Sequence, residues 1–209
     1  MSLIKKIQEL FGGKDDAPAT GAPLAVYMDP VEYSQLKAII ETLQPRTVLE
    51  WGCGGSTCAF LEEFPFIERL VSIEHNRMWF ERVRNLVDDP RLELYCDPPA
   101  VEEPDMNGDK EAYKRWMALC EDDPSVMEKY VARAVSLGQR FDFIFVDGRA
   151  RIHCLKTGFE LLNPGGVILV HDAQRPAYHE TLRSLGRPVF LEPFVNGQMC
   201  FVRKPGRLA

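Results

Sequence analysis

Apolar positions fall into short blocks along the chain. Thr47-Val48-Leu49-Glu50-Trp51, Leu70 to Ile73, Leu92 to Tyr95, Phe141 to Val146 and Val167 to Val170 each read as a buried strand bounded by turn residues. Between them the spacing becomes helical. Val31, Leu36, Ile39, Ile40 and Leu43 share one face of a helix over 30–43 that Pro45 ends, and further helices are predicted at about 57–64 and 76–87. Strands alternating with helices predict an α/β fold with a mostly parallel sheet and right-handed crossovers. The pattern changes at the end. Pro188 to Leu191 and Gln198 to Arg203 are two strand-like runs with Asn196-Gly197 between them, which predicts a closing antiparallel hairpin with a tight turn.

At 209 residues the chain suits one domain, expected over 24–209. Ahead of it, MSLIKKIQELFGG reads as a short amphipathic helix, and 11–23, rich in Gly, Pro, Ala and Asp, as a flexible linker. Residues 98–124 break the rhythm with Pro-rich ends and many acids. They read equally as a lid over a site or as a solvated surface excursion.

The formal net charge of −6 argues against a duplex nucleic-acid partner. No apolar run is long enough to span a bilayer. The six cysteines form no C-x-x-C pair, so they read as reduced, buried thiols of a cytoplasmic protein and not as zinc ligands. The expected partner is a small molecule.

The strongest chemical signal is Val48-Leu49-Glu50-Trp51-Gly52-Cys53-Gly54-Gly55-Ser56-Thr57, a glycine turn joining strand to helix. Glycines there let backbone approach a ligand closely. A dinucleotide fingerprint wants a third glycine where this chain has Thr57. Glu50 at the strand end would repel a pyrophosphate but attract a cationic amino-acid group. The turn therefore suits a nucleoside carrying an amino acid better than a dinucleotide. Glu74 ends the second strand, 20 residues beyond Gly54, where an acid can accept both ribose hydroxyl protons.

These residues resemble the class I S-adenosylmethionine-dependent methyltransferases. The E-x-G-x-G-x-[ST] turn, the acid after strand two and Asn163-Pro164-Gly165-Gly166 before strand five carry the resemblance. It implies a Rossmann-like, seven-stranded, mostly parallel sheet with helices on both faces and a C-terminal antiparallel hairpin. It also implies a cofactor site of Glu50, Gly52, Gly54, Ser56 and Thr57 for the methionine part, Glu74 for ribose, and Cys96 and Asp97 beside adenine. Val146-Asp147-Gly148-Arg149-Ala150-Arg151 and His171-Asp172 look like the small-molecule O-methyltransferase branch, with Asp147 at the cofactor as well. Metal-dependent relatives hold a divalent cation with the acids matching Asp147 and Asp172 plus an adjacent asparagine. Position 173 here is Ala, so Mg²⁺ would have two protein ligands. Asp97-Pro98-Pro99-Ala100 resembles the D-P-P-Y motif of nucleic-acid amino-methyltransferases, but that motif follows strand four and Asp97 follows strand three.

Ligands of such sheets bind at the carboxyl ends of the strands, where Asp147, His171 and Asp172 fall. His171 reads either as the general base for an acceptor hydroxyl or as a structural hydrogen-bonding group beneath the cofactor. Arg149, Arg151 and Arg175 read either as a site for an anionic acceptor or as partners of the chain's own carboxylates. Two other functions share the glycine turn: a non-catalytic S-adenosylmethionine-binding module and an NAD-dependent oxidoreductase.

Overall fold

The computed structural model describes residues 24–206; the helix and linker expected over 1–23 lie outside the described residues. Seven strands form one sheet in the order β3-β2-β1-β4-β5-β7-β6. They are β1 Thr47–Trp51, β2 Arg69–Glu74, β3 Leu92–Cys96, β4 Phe141–Val146, β5 Leu162–Val170, β6 Val189–Phe190 and β7 Cys200–Arg203. β1 to β5 pair in parallel, while β7 runs antiparallel to both β5 and β6. The chain reverses direction across the sheet between β1 and β4, both of which leave a carboxyl end at the same edge.

Both faces of the sheet are covered, so strand residues alternate between two cores instead of between core and water. Leu49, Trp51, Ile144, Val146, Ile168 and Val170 pack under α4 Lys110–Asp122, α5 Glu128–Ser136, α6 Arg151–Leu161 and α7 His179–Leu185. Val48, Phe143, Phe145, Val167 and Leu169 pack on the other face, against Leu36 and Ile40 of α1 Pro30–Leu43 and Phe60 and Leu61 of α2 Gly55–Glu63. A further helix, α3 Arg77–Leu86, crosses from β2 to β3. α1 starts as its sequence dictates: Asp29 caps it, Pro30 takes the first turn, and Glu32 reaches back to the Asp29 N–H.

Three local expectations are corrected. Asn163-Pro164-Gly165-Gly166 is no separate turn before β5; it lies inside that strand, with Gly165 at φ 84 and the pairing with β4 shifted between Phe141 and Phe143. Asn196-Gly197 is no two-residue turn, because β6 ends at Phe190 and β7 begins at Cys200. Its backbone N–H groups are drawn instead to Glu32, which accepts from Asn196 N and Gly197 N. Within 98–124, α4 is a core helix: Trp116 and Cys120 are buried, and the Trp116 indole donates to Val101 O over 3.1 Å. What remains outside regular structure there is 98–109 and 123–124.

Gly158 tests how closely α6 sits on the sheet. A Cβ there would stand 2.8 Å from Ile168 Cδ1 and 3.0 Å from Trp51 Cζ3. Gly158→Val should therefore lower unfolding stability by about 1–3 kcal/mol, read from urea denaturation; an unchanged midpoint would show that α6 can lift without cost.

Candidate active site

The carboxyl ends of β1, β2 and β4 open into a cleft of about 170 Å³ that is open to solvent on one side. Gly52 to Ser56 form its floor, Glu74, His75 and Trp79 one side, and Asp147, Gly148 and Arg149 the other. Val26, Tyr27 and Met28 close it from the N-terminal side.

The glycine loop is shaped by two close approaches. Gly52 has φ 102, and a Cβ on it would meet Gly148 N at 2.7 Å. A Cβ on Gly55 would collide with Ala25 O, so the segment before α1 lies directly across the loop. Around Gly54, by contrast, the same construction finds nothing within 4 Å. The floor there is bare backbone, a place where a ligand can approach.

Beneath the loop lies Glu50. It lies below the residues that line the cleft. Its carboxylate is fully buried and accepts from the hydroxyls of Ser56 and Thr57 at 2.5 Å and of Ser72 at 2.6 Å. Burial lifts its pKa to about 7 against the pull of those three donors. Thr57 is likewise buried, bonding Gly54 N as well as Glu50. Glu50 and Thr57 thus tie β1, β2 and the first turn of α2 together and hold the loop from below.

Glu74 does line the cleft. One oxygen accepts from Cys53 N at 2.9 Å, the other from His75 N at 2.9 Å and Asn76 N at 2.7 Å. Three backbone donors fix the orientation of this carboxylate at the cleft wall. Cys96 and Asp97 fall elsewhere: neither is a lining residue, and Asp97 is held by Arg133, with both contacts at 2.8 Å.

The ends of β4 and β5 are joined by one buried cation. Arg151 is 4% exposed. Its Nε donates to Gly148 O at 3.0 Å, Nη1 to Asp172 Oδ2 at 3.1 Å and to His171 O, and Nη2 to Asp147 Oδ1 at 3.1 Å and Asp147 O at 3.2 Å. Arg151 is a partner of the chain's own carboxylates, the second of the two readings given for the arginines. Arg151 has no donor to spare for an acceptor, and the pair Asp147 and Asp172 does not fit a divalent ion, because a guanidinium already bridges them and Ala173 supplies no third ligand. Asp172 stands at φ 60, a strained conformation for a side chain, held there by Arg151 and by Arg175 at 2.8 Å. Burial would raise the Asp172 pKa, but the charges of Arg151, His171 and Arg175 hold it below its ordinary value.

Of the two readings of His171, the geometry favours the structural one. Both ring nitrogens are taken, Nδ1 by Asp147 Oδ1 and Nε2 by Glu32 Oε2, each at 3.1 Å. Burial alone would lower its pKa; Asp147 and Glu32 override that and push it up to about 9. At neutral pH the ring is a cation clamped between two carboxylates, the structural alternative read from the sequence. Glu32, 2% exposed, was missed as a site residue. Its capping-box spacing marks a helix start but says nothing of a partner 139 positions away.

Arg149 is the arginine of the three that faces the cleft and retains a buried donor, Nε, without a partner among the described residues. Its Nη2 bonds the Tyr113 hydroxyl. It also borders a second, adjoining cleft with Met117, Ala118, Arg175, Ala177 and Tyr178.

His171 makes stability depend on pH. Its folded pKa of about 9 exceeds its ordinary 6.5, so its contribution is complete below pH 6.5 and is lost as pH rises through about 9. His171→Gln should flatten the fall in unfolding free energy between pH 7 and 10 relative to the parent; parallel curves for the two proteins would disprove the clamp.

Comparison with known proteins agrees with this geometry. A family model described as "Methyltransferase domain" matches residues 49–173, which span β1 to the end of β5. No curated protein is significantly similar in sequence. Among solved structures, a methyltransferase-like protein of Silicibacter pomeroyi is 19% identical with a TM-score of 0.58, covering 88% of this chain and 90% of its own. The O-methyltransferase TomG of Streptomyces achromogenes, solved with SAM, is 18% identical with a TM-score of 0.53, covering 96% and 95%. An O-methyltransferase of Bacillus cereus, solved with SAH, is 15% identical with a TM-score of 0.54, covering 96% and 90%. These likenesses are of fold; the family match sets aside the oxidoreductase alternative. With no helix among the described residues long and apolar enough to cross a membrane, and with a bare glycine floor beside a fixed carboxylate, the chain belongs to the methyltransferase domain family and is a class I S-adenosylmethionine-dependent methyltransferase.

Proposed function

We propose that this enzyme methylates an oxygen of a small anionic acceptor without a metal ion. The observation that carries the reading is the wall formed by Asp147 and Arg149, a carboxylate and a guanidinium two residues apart on one side of the cleft. The cofactor's amino-acid end fits the bare backbone of Gly52 and Gly54 with Ser56 beside it, and its ribose fits Glu74. Bound there, it supplies an electrophilic methyl group on a sulfonium.

Asp147 Oδ1 is spent on His171 and Arg151. Oδ2 carries no bond to any described residue and is the oxygen that would orient an acceptor hydroxyl. As the new O–C bond forms and the C–S bond breaks, the electron pair returns to sulfur and the hydroxyl proton passes to Asp147 and on to water. Alignment of this kind, with a carboxylate of fixed orientation, is what such a displacement requires. Arg149, with its unpaired Nε, would hold the acceptor's anionic group. Arg175 is occupied by Asp172 and stands at the rim of the adjoining cleft.

Binding of S-adenosylhomocysteine, measured by calorimetry, tests the cofactor placement. Gly54→Val should abolish it, and Glu74→Ala should weaken it by about one to two orders of magnitude. A folded Gly54→Val variant of parental affinity would move the cofactor elsewhere.

Turnover tests the acceptor and the metal. Release of S-adenosylhomocysteine with a pool of hydroxylated carboxylates and phosphate esters should be unaffected by chelator. Asp147→Asn should lower kcat by roughly 10²-fold, and Arg149→Ala should raise the acceptor KM. Turnover that stops with chelator and returns with Mg²⁺ would overturn the metal-free reading; binding without turnover on any acceptor would favour a non-catalytic module.

A further inference from the structure

His75 is a buried residue of the cleft that the reaction above does not use. It is 8% exposed and follows Glu74 directly. Its Nδ1 stands 2.8 Å from Glu74 Oε1 and its Nε2 3.4 Å from Glu103 Oε2, yet neither nitrogen has an aligned hydrogen-bond partner among the described residues. The ring stacks on Trp116 of α4 at 6.0 Å and meets the edge of Tyr130 of α5 at 5.8 Å. Asn76 Nδ2 donates to the same Glu103 oxygen at 2.9 Å. Glu103 lies in the irregular segment 98–109, with no helix or strand to position it.

Two carboxylates this close to one imidazole repel each other unless the ring is charged. The cation also ties a loop to the strand end that carries Glu74. Resting on the reading that this cleft takes the cofactor, we propose that His75 is a positioning residue for the nucleoside end of S-adenosylmethionine: as an imidazolium between Glu74 and Glu103 it fixes the ribose-binding carboxylate and ties Glu103 of segment 98–109 to the strand end that carries it. The groups facing it support this. Burial would lower the ring's pKa, but Glu103 and Glu74 push it up to about 9. Burial would raise the Glu103 pKa, but His75, Asn76 and the charge of Arg149 hold it low. The Tyr130 hydroxyl, buried, is raised well above its ordinary value and stays neutral; the Cys53 thiol, beside Glu74, is raised as well.

The test pairs two measurements on the full chain. In the first, the His75 ring resonance, assigned by its loss in His75→Gln, is titrated by NMR in the parent and in Glu103→Gln without cofactor. A parent pKa well above 6.5 that falls in Glu103→Gln is expected; a ring titrating near 6.5 in both overturns the proposal, whatever the cleft binds. In the second, the Kd for S-adenosylhomocysteine is followed from pH 6.5 to 10. His75→Gln should bind about tenfold or more weakly at pH 7 and show no further weakening attributable to the ring. Glu103→Gln should weaken from a lower pH than the parent. The ligand's own amine titrates in every arm, so only differences between proteins are read. Parental affinity and pH profile in both variants overturns the proposal; a parent that binds no S-adenosylhomocysteine while its ring titrates high defeats the cofactor reading instead. Should His75→Gln fail to fold, Glu103→Gln alone decides.

Discussion

A guanidinium shut away from water must be surrounded by acceptors, and the acceptors that surround Arg151 stand at the carboxyl ends of β4 and β5. Its donors reach the backbone of Asp147, Gly148 and His171 and the carboxylates of Asp147 and Asp172. Breaking a buried arrangement of this sort is costly, since each partner would be left charged and unpaired. The cation therefore sets the carboxyl ends of β4 and β5 against each other, and through Asp147 it sets the wall of the cleft. His171 extends the same network to Glu32, which fastens α1 and the backbone of 196–197 to the site. A second cation, His75, stands between Glu74 and Glu103 on the opposite side.

The fold was legible in the sequence because a parallel sheet covered on both faces writes itself as unbroken apolar runs. Phe141 to Val146 sends Phe143 and Phe145 to one core and Ile144 and Val146 to the other, and no residue of the run is free to be polar except near its start. The glycine turn was legible for a similar reason: Gly52 cannot carry a side chain without striking Gly148. Trp116 and Cys120 were harder to read, since the apolar residues of α4 are interleaved with charged ones at both of its ends.

The partners of the polar residues were not legible. Glu50 and Glu74 both end strands next to the glycine turn, yet one is sealed under three hydroxyls while the other is offered to the cleft. Which way a carboxylate turns depends on Ser72, on the neighbouring strand, and no spacing rule connects the two. The three arginines after strands four and five behaved the same way. Arg151 is consumed by the protein, Arg175 is half consumed, and Arg149 keeps a donor. Glu32 shows the limit most plainly, because its local role as a capping residue and its long-range role beside His171 use the same carboxylate.

Arg151 has a consequence for how such an enzyme can evolve. A lineage that moved from this arrangement to a metal-assisted one would need to lose the arginine and gain a ligand at position 173. Losing the arginine first leaves Asp147 and Asp172 facing each other without a counter-charge. Changing Ala173 first forces a larger polar side chain into a place that is 0% exposed, where its N–H already bonds Gln198 O at 2.6 Å. Each single step carries a stability cost, so Arg151 and Ala173 are expected to be kept together or changed together.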